Sequence, residues 1–356
     1  NAGGGGVNRN VIINGAMNVA QRGTSSTGLG ANTSATTRYQ TIDRFGIDVE
    51  GTTLGRYTMT QDSSAPSGFA NSLKLACTTA DTSIGAAELV TLSQIVEGQN
   101  VQSFAKGTSD AKPFAVSFYV KGNASATYVC ELFDGDNSRH VAKTFSVTTD
   151  WTRVELSFPA DTTGAFDDDN AASLYLQIFL HAGSNFSSGT LPATWASKTN
   201  ANRAAGGGSF FDSTDRTFFI TGVQLEVGQN PTSFEHEPFD VTLRKCHRYF
   251  ENIGYTAGTY VYAAAYAYST TEIRAVQHYK AKRATPSFTF NNQGDVIAFY
   301  NGGSSDTSIA FNYHDIGLNS CRVSIDLSGV STTAGYGVAI YVNGSSTYDI
   351  KIAAEL

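Results

Sequence analysis

The sequence predicts an all-β protein, two antiparallel sandwiches in series joined by one short helix. Three observations carry that prediction. Apolar residues alternate with polar ones over many short runs, the spacing of strands that bury one face. Segments rich in Gly, Ser, Thr and Asn separate those runs, as turns do in a sandwich. Charged residues make up only 15% of the 356 residues and hydrophobic ones 41%, so the chain has material for two cores and few solvated charges.

The elements follow in order. Residues 1–10 are glycine-rich and read as an extended arm. In the first domain, 11–238, Phe45, Ile47 and Val49 alternate with Gly46 and Asp48, and Leu73, Leu75 and Cys77 repeat the pattern. Phe114, Val116, Phe118 and Val120 form one face of a long strand, with Ser117 and Tyr119 on the other. Val154, Leu156 and Phe158 mark a further strand. Leu174, Leu176, Ile178 and Leu180 line one face of the next, opposite Tyr175, Gln177 and Phe179. The last strand sets Phe219, Thr221, Val223 and Leu225 against Phe218, Ile220 and Gln224, and Gly228 with Asn230-Pro231 stops it. Three polar stretches, 24–37, 161–170 and 184–209, read as long loops, where recognition usually resides on a rigid sandwich.

Residues 239–251 read as a linker helix capped by Asp240, with Val241, Leu243, Tyr249 and Phe250 as its apolar stripe. The second domain, 252–356, is again all strand. Tyr260, Tyr262, Tyr266 and Tyr268 fall on one strand face with Ala264 between them, opposite Val261, Ala263, Ala265 and Ala267. Cys321, Val323, Ile325 and Leu327 mark a later strand, as do Tyr336, Val338, Ile340 and Val342. No coiled-coil heptad or short stacked repeat appears.

Composition excludes several function classes. A net charge of −7 argues against nucleic-acid binding, which needs a basic footprint. The one basic cluster, Arg244-Lys245-Cys246-His247-Arg248, reads as a solvated helix face or a salt-bridge donor. No apolar run approaches a membrane span, so no membrane insertion is expected. Cys77, Cys130, Cys246 and Cys321 are far apart, form no CxxC pair, and read as buried free thiols.

A search for chemistry returns no catalytic residue and no metal or cofactor site. The acid-rich stretch Asp134-Gly135-Asp136-Asn137 starts like a calcium loop but lacks the later Gly and Glu of that pattern, so it reads as a solvated turn. Asp167-Asp168-Asp169 is read the same way, and Glu226 is discounted as a calcium ligand because too few oxygen ligands can be placed around it. The six histidines show no HxH or HExxH spacing, no G-x-S-x-G elbow occurs, and no two carboxyls can be assigned to one cleft. The chain is therefore not expected to be an enzyme. Sugar binding needs an aromatic ring to stack on the apolar face of a sugar, with polar groups reading its hydroxyls. Trp195, in a long polar loop, is one candidate platform; the alternative is a packing lid for the sandwich. Trp151, at a strand start, reads as core. The tyrosine stripe of Tyr260, Tyr262, Tyr266 and Tyr268 has three readings: half-buried core, subunit interface, or glycan surface.

Several segments resemble bacteriophage tail-fibre and other virion-surface proteins. Gly222-Val223-Gln224-Leu225-Glu226, followed by Thr232-Ser233-Phe234-Glu235, looks like the strand that ends their carbohydrate-binding-module-like jelly roll. Asn14 to Ser25 looks like its opening, and Ile42-Asp43-Arg44-Phe45, Ser117 to Lys121 and Thr149 to Val154 match its internal steps. Many relatives carry a Trp where Ala20 stands. Leu243 to Phe250, Lys282 to Pro286 and the closing Ala353-Ala354-Glu355-Leu356 are similar to later parts of such fibres. The resemblance implies a jelly-roll-like sandwich followed by a smaller β-sandwich, and a homotrimer that contacts other virion proteins and host-surface polysaccharide. It implies a place in the virion, on a tail or capsid appendage, with adhesion to host glycans as the function. A non-adhesive virion part, such as a head fibre, capsid decoration or tail connector, is the alternative. A polysaccharide depolymerase ranks behind both, because neither a β-helix repeat nor an acid pair is present.

Overall fold

A computed structural model of the chain describes residues 8–32, 37–51, 54–255, 260–290, 296–300, 304–307, 310–327, 332–342 and 348–356. The chain forms two compact units, Asn1–Leu243 with Leu356, and Arg244–Glu355.

The strands of the first unit are β1 (Ser25–Leu29), β2 (Gly46–Glu50), β3 (Arg56–Asp62), β4 (Ser72–Thr79), β5 (Leu89–Glu97), β6 (Phe114–Gly122), β7 (Ala126–Asp134), β8 (Arg139–Val147), β9 (Thr152–Phe158), β10 (Ala172–Ala182), β11 (Ala196–Ser197) and β12 (Thr217–Val227). They make two six-stranded antiparallel sheets, ordered β1-β3-β4-β12-β6-β9 and β11-β8-β7-β10-β5-β2. The chain crosses repeatedly between the sheets, which is the jelly-roll pattern. Facing sets interleave in the core. Phe114, Val116, Phe118 and Val120 meet Tyr128, Cys130, Leu132, Leu174, Leu176, Ile178 and Leu180, each at most 3% exposed. Each such side chain contributes about 1.5–3 kcal/mol by leaving water.

Local chemistry departs from simple alternation at β12. Its inward residues are Phe218, Ile220, Val223 and Leu225, so Phe219 and Thr221 face outward. The cause is a bulge: register with β6 slips between Thr221 and Gln224, and Gly222 adopts φ +63°. A Cβ at Gly222 would lie 2.8 Å from the Phe69 ring and 2.9 Å from that of Tyr119. Beyond the bulge β12 pairs with the chain's beginning. The Val11 N–H donates to Leu225 O at 3.0 Å, and the Val223 N–H donates to Gly15 O at 3.0 Å.

Residues near the chain's start and the segment after β12 meet here. The Glu235 carboxylate accepts the backbone N–H groups of Asn8, Arg9 and Asn10 at 2.6, 2.7 and 2.9 Å. Gln224 Oε1 accepts the Glu235 N–H, and Glu226 accepts the N–H and hydroxyl of Thr232. Glu226 is thus a structural clasp. Asn14, at φ +62°, accepts from the Asn18 and Val19 amides and donates to the Val19 and Asp43 carbonyls. These motifs close the jelly roll by capping backbone groups that its ladders leave unpaired.

Several expectations change. The stretch 24–37 contains β1. The stretch 184–209 holds a one-turn helix, α1 (Ser184–Ser187), and β11, and lies as a strap on the second sheet. Trp151 does not join the core: it packs edge-on to outward-facing Phe219 at 6.1 Å, with the Lys121 ammonium 5.7 Å from its ring centre. The helix α2 (Phe239–His247) starts one residue ahead of Asp240, which sits in its first turn. Its buried stripe is Thr242 and Cys246, continued by Tyr249, while Leu243 stays half-exposed.

The second unit contains β13 (Phe250–Tyr255), β14 (Tyr260–Ala267), β15 (Glu272–His278), β16 (Ser287–Phe290), β17 (Val296–Tyr300), β18 (Ser304–Thr307), β19 (Ala310–His314), β20 (Ser320–Asp326), β21 (Gly337–Val342) and β22 (Tyr348–Ala353). A three-stranded sheet, β13-β22-β16, accompanies a seven-stranded one, β18-β17-β21-β14-β15-β20-β19. Ile273, Val323, Ile325, Ile340, Ile350 and Ile352, all fully buried, form its smaller core.

Candidate functional site

Because Tyr128, Cys130 and Leu132 of β7 point into the core, Val129, Glu131 and Phe133 face outward. On β10 the same logic turns Tyr175, Gln177 and Phe179 outward. Cross-strand register then sets these residues in rows: Phe133 beside Tyr175, Glu131 beside Gln177, and Val129 beside Phe179.

The strap covers two of these rows. Phe186 and Ala204 seal Val129 and Phe179 in a small apolar cluster with Leu89 and Ala142. Arg203 reaches down to the middle row and pairs with Glu131 at 2.6 Å and with Gln177 Oε1 at 2.7 Å. His140 Nδ1 lies 2.8 Å from the same carboxylate. The row of Phe133 and Tyr175 is left half-open, their ring centres 5.4 Å apart at 52°. Lys198, exposed on the strap, places its ammonium 5.1 Å from the Phe133 ring centre, and Arg203 lies 5.4 Å away.

Polar groups border the rings. Arg38 bonds Asp48 at 3.1 Å and the Ser93 hydroxyl at 2.6 Å. Burial pushes the Tyr175 phenol above its ordinary value; Arg38 opposes this, and Asp48 and Asp136 reinforce it. The phenol is therefore neutral at physiological pH and both donates and accepts. Burial likewise pushes the Asp48 carboxyl up, against Arg38 and the Ser93 hydroxyl. Two adjoining rings with amide, guanidinium and phenol groups at their margin suit a ligand with apolar faces and peripheral hydroxyls.

Trp195 is not such a platform. It is 7% exposed, donates its indole N–H to Pro159 O at 2.9 Å, and packs on Phe114 with ring centres 5.3 Å apart. It closes the end of the sandwich, as the packing-lid alternative has it. Beneath it lies the fully buried Lys106 ammonium, 5.2 Å from the ring centres of both Trp195 and Phe166. Its nitrogen contacts Asp134 at 2.5 Å, Asp161 at 3.2 Å, and the carbonyls of Thr163 and Gly164 at 3.0 and 2.7 Å. The side chain of Asp134 is thus fully buried on Lys106, not solvated as its turn-like sequence suggests. Among the described residues, no group of three or more His, Cys, Asp or Glu is arranged to hold a metal.

In the second unit the side chains of Tyr260 and Tyr262 lie outside the described residues. A register shift between Val261 and Ala263 interrupts the alternation on which the stripe was read. Tyr266 and Tyr268 are 48% and 50% exposed, and neither joins the core. The Arg274 guanidinium lies over the Tyr268 ring at 3.1 Å and bonds Glu272 at 2.8 Å. An open groove of about 730 Å³ runs past Ala264, Tyr266, Arg274, Val276, His278 and Arg322. Sequence reasoning missed Phe133 and Tyr175 as candidate site residues. The available signal was the outward assignment of Tyr175, a large ring on a face opposite the core; the missing knowledge was which outward rings the strap would cover.

No protein-family model matches the chain, and no curated protein matches it. Two solved structures align with it in part. The family 11 carbohydrate-binding module of a cellulosomal cellulase from Clostridium thermocellum aligns over 59% of this chain and 100% of its own, at 12% identity and a TM-score of 0.27. A tandem CBM22 domain from Paenibacillus barcinonensis aligns over 94% of this chain and 98% of its own, at 10% identity and a TM-score of 0.26.

Proposed function

We propose that the chain is a non-catalytic adhesin of a phage virion, part of a tail fibre or similar appendage, which holds host-surface glycans on the Phe133–Tyr175 platform. The observation that carries the sugar reading is the half-open pair of rings, bordered by Gln177, Arg203, Lys198, Arg38 and Asp48, on the outer face of the second sheet. The virion setting rests on the fibre-like segments. One small platform yields weak binding, so the reading includes several copies acting together, with a homotrimer as the expected assembly.

A glycan array probed with the intact chain, alongside Phe133→Ala and Tyr175→Ala, tests this. Hits that both variants lose support the platform. Absence of binding to any glycan and to host cells removes the adhesin reading.

The exposed Tyr266, Tyr268 and Val276 on one sheet face of the second unit favour a second reading, a structural virion component docked through that face. A cryo-EM reconstruction of the particle separates the two. A platform buried against other virion proteins favours the structural role, and a free distal platform favours adhesion.

A further inference from the structure

Glycan binding makes no use of Lys106, Asp134 and Asp161. Their side chains are 0%, 0% and 5% exposed. Burial beside the Phe166 and Trp195 rings keeps water from the three groups. The Thr163 and Gly164 carbonyls accept from the nitrogen at 3.0 and 2.7 Å and hold it in place. The same nitrogen donates to Asp134 Oδ2 at 2.5 Å, which brings amine and carboxyl into contact. Asn137 donates its backbone N–H to Asp134 Oδ1 at 3.1 Å and its side-chain amide to Oδ2 at 3.0 Å. Both donors polarise the carboxyl and would stabilise negative charge developing on it. Arg139 holds Asp161 with two hydrogen bonds, at 2.7 and 3.1 Å, fixing that carboxylate beside the nitrogen. Two reactants held in contact and kept from solvent gain a large effective concentration.

We propose that Lys106 and Asp134 condense to an amide, an intramolecular isopeptide cross-link, with Asp161 as the proton shuttle. The ammonium proton passes to the Asp134 carboxylate, leaving a neutral amine and a neutral acid. Nζ attacks Cγ, and the N–C bond forms. Asp161 takes a proton from the nitrogen and delivers it to a hydroxyl on Cγ; that C–O bond breaks and water leaves. One N–C bond replaces one C–O bond, one water is lost, and no oxidant or co-reactant is needed. The link ties the segment after β5 to the end of β7, next to Phe133, and so braces the platform covalently.

Lys282 supplies an internal control. It is also buried, with its ammonium 2.7 Å from Glu251, but Glu251 is its sole carboxylate contact among the described residues. It is expected to stay unlinked.

The test is mass spectrometry of the purified intact chain, followed by proteolysis and fragmentation. The expected mass is lower than that of the sequence by one water, with a branched peptide joining Lys106 to Asp134 and ordinary cleavage after Lys282. A wild-type chain at full sequence mass, or a water loss mapped elsewhere, overturns the proposal whether or not any variant folds. Asp161→Asn is expected to abolish the branched peptide. Linkage in that variant as complete as in the wild type overturns the shuttle assignment.

Discussion

On the outer face of the second sheet, Phe133 and Tyr175 lie a few residues along the same two strands from Val129 and Phe179, yet the two rows have opposite fates. Phe179 is 1% exposed beneath Phe186 and Ala204, whereas Phe133 and Tyr175 stay half-open. Backbone, strand pairing and side-chain class are alike. What differs is the cover: the strap puts apolar side chains on one row and polar ones beside the other. An outward aromatic is therefore core or platform according to what the chain later lays over it.

Breaking the covered row should have the largest effect. Phe179→Ala removes a buried ring and leaves a cavity, so unfolding free energy is expected to fall by about 3–5 kcal/mol. Denaturant titration reads this, and glycan affinity per folded molecule should hardly change. Arg203→Ala strikes the boundary between the rows. It leaves Glu131 buried without its guanidinium partner, and a loss of roughly 3 kcal/mol is expected. Because Arg203 also borders Phe133, calorimetry on the folded fraction should show weaker binding as well.

Tyr175→Ala should invert the pattern. Affinity is expected to drop about tenfold, roughly 1.4 kcal/mol, with stability changed by less than about 1 kcal/mol. Equal effects of Tyr175→Ala and Phe179→Ala on stability would dissolve the distinction between platform and core.

The smallest effects concern pH, where two carboxylates near the site carry opposite signs. Burial works against the charge on Asp161, but hydrogen bonds from Arg139 and the Thr163 amide, with Lys106 while it is unlinked, outweigh it and hold the folded value below the ordinary one. Its stabilising contribution is present above the unfolded value, about 4, and is lost as pH falls through the lower folded value. Asp48, pushed up by burial, behaves oppositely: its contribution is present below about 4 and is lost as pH rises through its raised folded value. Stability measured against pH should therefore fall less steeply on the acid side in Asp161→Asn and more steeply in Asp48→Asn.

Much of the framework could be read along the chain. The inward sets of β6, β9 and β10 follow plain alternation, because a strand that buries one face must repeat every second residue. At β12 the reading failed in its first half, since one bulge at Gly222 exchanges the faces. β1 escaped notice inside a polar stretch, because its own side chains are mostly exposed and leave no apolar pattern. Trp195 and Tyr175 mark the limit for the site: both are large rings in polar surroundings, and nothing adjacent to either tells them apart.

Alternation, turn composition and the small charged fraction were enough to specify an all-β chain with two cores, since each depends on neighbours in sequence. The closure of the jelly roll by Glu235 on the amides of residues 8–10, the seating of the strap, and the meeting of Lys106 with Asp134 and Asp161 depend on groups far apart along the chain. Such contacts form only when strand register and loop path bring those groups together in space, and no local pattern encodes that distance.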